Sequence, residues 1–131
     1  MNRDDISTRI LAAQGWEAKN RLLVQLAREL PVFDEADKTE ANQVAGCESR
    51  VWIKLNWQNN QLQLQADSDS RIVKGLLMLV LAAYQQRHTE EIASFDFENW
   101  LEELGLSRFL STSRGNGLRA IASRIRASHP S

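Results

Sequence analysis

A chain of 131 residues with 16 basic and 17 acidic side chains has a net charge of −1, which leaves no basic field for a nucleic-acid backbone. Hydrophobic residues at 43% and charged residues at 25% are ordinary for a globular protein, and the length predicts a single domain over residues 1–131. The longest apolar run, Leu76 to Tyr84, falls far short of the roughly 20 residues a membrane-spanning helix needs. Met1-Asn2-Arg3-Asp4-Asp5 is polar with no apolar signal segment behind it, so a cytoplasmic protein that contacts neither membrane nor nucleic acid is expected.

Taken in order, residues Asp5 to Ala13 predict a short helix, with Ile6, Ile10 and Ala13 at helical spacing and Gly15 as the break. A second helix starts near Trp16, shows Leu23, Leu26, Ala27 and Leu30 on one face, and ends at Pro31. Residues Val32 to Gln43 are polar, acidic and without period, which predicts an exposed loop. Val51, Ile53, Leu55 and Trp57 then alternate with Trp52, Lys54 and Asn56, and Leu62, Leu64 and Ala66 with Gln61, Gln63 and Gln65. This is the period of two paired strands, joined by a tight Asn59-Asn60 turn. Trp52 alone breaks the polar face and predicts either partial cover there or a contact surface.

Asp67-Ser68-Asp69-Ser70 supplies N-capping side chains for a helix from Arg71 to Gln86 that is apolar nearly all round, hence buried. Gly75 inside it predicts close packing against another element, because glycine weakens a helix. A short helix capped by Thr89 follows, with His88 read as the partner of a helix C-terminus. Another helix stops at Gly105. In the last one, Leu118, Ile121, Ala122 and Ile125 form an i, i+3, i+4, i+7 stripe opposite Arg119, Ser123, Arg124 and Arg126, read as a solvated basic face. Helices, hairpin, helices: the order predicts an α+β fold, a small antiparallel sheet with helices packed on one face.

Cys47 is the only cysteine. It follows Gly46, which can turn sharply, and precedes the first strand. Free cysteine is most often a small buried hydrophobe, but no other nucleophile candidate emerges from the chain. A single cysteine forms no internal disulfide, and neither His88 nor His129 stands at ligand spacing from it, so no metal site is predicted. A reactive Cys47 must therefore meet a sulfur from another molecule. Ser113-Arg114-Gly115-Asn116-Gly117 at a helix start could hold an anion or merely shape a turn. The carboxylates Asp67 and Asp69 are explained as caps.

Several blocks taken together resemble one family. Trp16-Glu17-Ala18-Lys19, Leu30-Pro31, Gly46-Cys47-Glu48-Ser49-Arg50-Val51-Trp52, Asp67-Ser68-Asp69, Ile72-Val73-Lys74-Gly75-Leu76 and Ser113-Arg114-Gly115-Asn116-Gly117-Leu118 are similar, in order, to the SufE/CsdE family of sulfur acceptors. The resemblance spans about Trp16 to Ile125. It implies a protein that takes persulfide sulfur from a pyridoxal-phosphate cysteine desulfurase of the SufS/CsdA type, stimulates that enzyme, and passes the sulfur to an iron–sulfur cluster scaffold or another acceptor. It further implies a fold related to the IscU-type scaffolds. Cys47 then stands at the family's sulfur-accepting position, and Arg114 at an arginine of its Ser-Arg block. No cofactor is implied on this chain itself, the pyridoxal phosphate being the desulfurase's, and a homodimer is compatible with the pattern. Two departures are Ala66, where members often have glycine, and Asn20, where an aromatic is common.

From this resemblance and the chemistry of thiolates, Cys47 is expected to be sheltered by the hairpin and the last helix, with Arg114 close enough to favour the thiolate. Arg50 could serve the same end, whereas an apolar pocket would act against it. A one-cysteine, peroxidase-like redox enzyme is the alternative, distinguished by turnover of peroxide without any desulfurase. A plain interaction domain with an inert cysteine is a third reading.

Overall fold

The structure, a computed structural model, describes residues 2–44, 49–109 and 113–130, with the backbone alone at 113–116. Helix α1 (Arg3–Ala12) is capped by Asn2, whose side chain accepts the Asp5 N–H at 2.8 Å. Gly15, at φ +84°, turns the chain into α2 (Trp16–Ala27). Lys19 then reaches back and donates to the Ile10 carbonyl at 2.9 Å, a second bond on an oxygen that also accepts the Ala13 N–H at 3.1 Å. Trp16 packs on Phe109, ring centroids 5.0 Å apart, under the Arg108 guanidinium. The Trp-Glu-x-Lys block thus holds α1 and α2 together and to the chain that leads toward the last helix.

Strands β1 (Val51–Gln58) and β2 (Gln61–Ser68) pair antiparallel in the register Val51 with Ser68, Ile53 with Ala66, Leu55 with Leu64 and Trp57 with Leu62. The apolar residues of both strands therefore share one face, as the alternation predicts. Asn59 and Asn60 lie at φ +54° and +62°, the two left-handed positions of a tight two-residue hairpin loop.

Helix α3 (Arg71–Tyr84) is buried on nearly every side and is the centre of the fold. Its Gly75 meets the backbone of α2: a Cβ there would run onto the Leu23 carbonyl, 2.7 Å from its carbon. Helices α4 (Thr89–Ser94), α5 (Phe97–Glu103) and α6 (Ser113–Ala127) follow. The stripe Leu118, Ile121, Ala122 and Ile125 is buried in one core with α1–α3 and the apolar face of the hairpin. The architecture is α+β, with helices on one face of a two-stranded antiparallel sheet. No helix among the described residues is long and apolar enough to cross a membrane.

Three expectations about these elements are corrected. Residues 32–43 are not simply an exposed loop: Phe33 is buried, and Gln43 bridges antiparallel to Trp52. His88 is not at a helix C-terminus. Helix α3 ends at Tyr84, Gln86 adopts φ +60°, and His88 caps the start of α4, with its N–H donating to Glu91 at 3.1 Å. Its Nδ1 lies 3.0 Å from the Asn60 carbonyl. Of the polar run before α3, only Ser70 caps it. Asp67 and Asp69 have other work, described next.

Candidate functional site

The described residues on either side of the cysteine segment are both held by the fold. On one side, residues 42–44 run antiparallel to the start of β1: Ile53 N–H donates to the Asn42 carbonyl and Val44 N–H to the Val51 carbonyl, both at 2.8 Å. These bonds flank a single antiparallel bridge of Gln43 with Trp52 beside β1, too short to leave an alternating pattern in the sequence. On the other side, Arg50 is pinned to the end of β2 and the turn that follows it. Its N–H donates to Asp69 Oδ1 at 3.1 Å, and its carbonyl accepts from the Ser68 hydroxyl at 2.7 Å and from the Asp69 N–H. The Arg50 guanidinium, largely in solvent, lies 3.8 Å from Asp69 Oδ2. Asp69 is therefore a backbone anchor for the chain leaving the cysteine segment.

Asp67 has a different role. It is 9% exposed and faces two cations, Lys38 Nζ at 3.2 Å and Lys74 Nζ at 3.4 Å. A buried carboxylate is tolerated only when so partnered. Lys38 also sits 5.1 Å from the centre of the Trp52 ring and bonds Glu35 at 2.8 Å. The hydrogen bond to Glu35 is the main reason its pKa is raised above 10.5; burial opposes this, and Asp67 adds to it. Trp52 itself is 7% exposed. The chain's own Lys38 and the Gln43 arm cover it, so it is not the contact surface that its place on the polar face allowed.

The last helix reaches this site through Arg124. Its Nη1 donates to the Gln43 carbonyl at 3.2 Å, and its Nη2 to the Ala41 carbonyl. Arg119 on the same helix pairs with Glu98 at 2.9 Å. The basic face of α6 is thus tied down at these two arginines, not merely solvated. No local signal in the sequence joins Arg124 to carbonyls on a segment so far upstream.

Residues 45–48 lie outside the described residues, and Cys47 with them. The side chain of Arg114 does too, so the expected shelter of Cys47 and its proximity to Arg114 fall outside what is described. Among the described residues, the framework brings together residues 42–44, Arg50, the Asp67 and Asp69 anchors and, through Arg124, helix α6.

A model of the SufE family, described as an Fe-S metabolism associated domain, matches residues 4–129. The chain belongs to the SufE family. It is accordingly associated with iron–sulfur metabolism. As a fold, the SufE chain is similar to the solution structure of a hypothetical protein from Thermus thermophilus. The two are 17% identical, with a TM-score of 0.73 over 95% of this chain and 90% of that one. Among the described residues of the SufE chain, no group of three or more His, Cys, Asp or Glu side chains is placed to hold a metal ion.

Proposed function

We propose that this protein is a sulfur carrier: Cys47 takes a sulfur atom from a pyridoxal-phosphate cysteine desulfurase and hands it to an iron–sulfur cluster scaffold. The observation that carries this reading is the position of the sole cysteine. In sequence it lies inside the SufE match, between residues 42–44, which pair with β1, and Arg50, which is anchored to Ser68 and Asp69.

The transfer needs no external oxidant. The Cys47 thiolate attacks the outer sulfur of the desulfurase persulfide; the donor's S–S bond breaks as a new one forms on Cys47, and the donor cysteine leaves as a thiolate. A free thiol with a pKa of about 8.5 is only a few per cent ionised at neutral pH. A positive charge from Arg50 or Arg114 would raise that fraction. A single local thiol suits the task, because a second one would divert the persulfide into a disulfide. The chain binds no cofactor of its own in this scheme, and the stimulation of the desulfurase follows from removing sulfur from its active site.

Incubation with a desulfurase, cysteine and pyridoxal phosphate should add about 32 Da to the intact chain, removable by a reductant. Cys47→Ser should gain nothing and should no longer raise desulfurase turnover, since a neutral hydroxyl is a far poorer nucleophile. Full stimulation by that variant would show allosteric activation without sulfur transfer. Turnover of peroxide by the protein alone would favour the redox enzyme instead.

A further inference from the structure

We propose that the cleft between the end of α2 and the start of α3 is a docking site for an acidic segment of a partner protein, one that presents adjacent Asp or Glu side chains. The cleft holds about 300 Å³ and is lined by Val24, Ala27 and Arg28 at the end of α2 and by Arg71 and Lys74 in the first turn of α3. These positions fall at i, i+3, i+4 on one helix and at i, i+3 on the other, so each group shares a helix face. Val24 and Lys74 are the chain neighbours of Leu23 and Gly75, where the two helices touch.

Three of the five lining residues are cationic and none is acidic. Lys74 is held on one side by Asp67 at 3.4 Å. Arg28 and Arg71 are exposed and form no ion pair among the described residues. Arg71 is also set against its own helix. It is the first residue of α3, whose first turn contains no acidic side chain, so its cation faces the positive end of the helix dipole. The carboxylate of Asp69, two positions earlier, is turned to Arg50 instead. A negative charge from another molecule would relieve this arrangement.

The lining favours a carboxylate on a protein chain over other anions. The two guanidinium forks match carboxylates in bidentate fashion. Half-buried Val24 and Ala27 give the methylene stem of a glutamate an apolar wall, and a phosphate has no such stem. A nucleic-acid strand needs cations spaced along its backbone, whereas these three share one small cleft on a chain of net charge −1.

Hexaglutamate tests the assignment. It would be titrated into the isotope-labelled full chain at low salt and followed by amide chemical shifts, beside inorganic phosphate and an oligothymidylate as separate probes. Saturable shifts should appear at Arg28, Arg71 and Lys74 but not at the Asn59-Asn60 turn, and should weaken at high salt. Arg28→Ala and Arg71→Ala should each raise the dissociation constant on the order of threefold to tenfold. Arg119→Ala, which removes the same charge from α6, should leave it unchanged. Arg71→Ala should also keep or raise the urea midpoint, because it takes a cation off the positive end of α3.

Shifts spread evenly over the surface, or alanine variants that bind as wild type does, would overturn the proposal. So would equal occupancy of the cleft by inorganic phosphate at the same concentration, which marks an anion site with no protein partner, or tighter binding of the oligothymidylate. A lower urea midpoint in Arg71→Ala would assign that side chain to the fold and remove it from docking. No arm of the experiment uses Cys47 or a desulfurase, so the result stands whether or not the protein carries sulfur.

Discussion

At Gly75 the lack of a side chain decides how closely α2 and α3 approach. Any Cβ would press on the Leu23 backbone, which cannot turn aside as a side-chain tip can. Gly75→Ala should therefore destabilise the protein by about 2–3 kcal/mol despite its better helix propensity, read from the urea midpoint. An unchanged or higher midpoint would mean that the helices separate freely. Asp67 is a second site where one residue counts. Asp67→Asn keeps the shape but removes the charge facing Lys38 and Lys74, and it should cost about 1–3 kcal/mol. Gly75 was legible from the sequence, because a glycine inside an apolar helix has few explanations. Asp67 was not: before a helix, a carboxylate that caps and one that meets two lysines look alike, and Lys38 lies far upstream.

Among the elements, the hairpin was the easiest to read. Its alternation fixed both the strands and the buried face, and Asn59-Asn60 marked the turn. The third arm at residues 42–44 escaped, since three residues carry no period, and with it went the cover over Trp52. The reading of His88 failed for a related reason. The end of α3 depends on Gln85, which leaves the helix and aligns its amide with β2, accepting from Leu64 N–H at 2.6 Å and donating to the Leu64 carbonyl at 2.8 Å. Arg87 and Gln86 continue beside Leu62 through their main chains. Gln85→Ala should lose both bonds, costing about 1–2 kcal/mol, with faster amide exchange at Leu64 and little change at the Asn59-Asn60 turn. Unaltered protection at Leu64 would sink that account. Of the candidate site, the anchors on either side of Cys47 come from structure alone, because each joins residues distant in sequence.

Over the whole molecule, two buried or half-buried groups give stability one direction of pH dependence. Burial raises the pKa of Tyr84 above 10.0, with the charges of Arg126 and Arg3 pulling against it, and Lys38 is raised above 10.5 chiefly by its bond to Glu35. In each case the folded state holds the proton more tightly than the unfolded chain. The stability so gained is complete below those ordinary values and is lost as pH climbs through the raised ones. The urea midpoint should therefore fall above about pH 10, and Tyr84→Phe should make that fall shallower. An alkaline limb of the same steepness in the variant would exclude Tyr84 as a contributor. The clamp at Gln85 also bears on how the molecules behave in a crowd. A sheet's outermost strand is a template on which other chains can grow, and here a side-chain amide imitates one peptide unit of the neighbour that is missing. The amide takes both backbone groups of Leu64, and the main chains of Gln86 and Arg87 take those of Leu62, so neither residue offers a free pair to another strand.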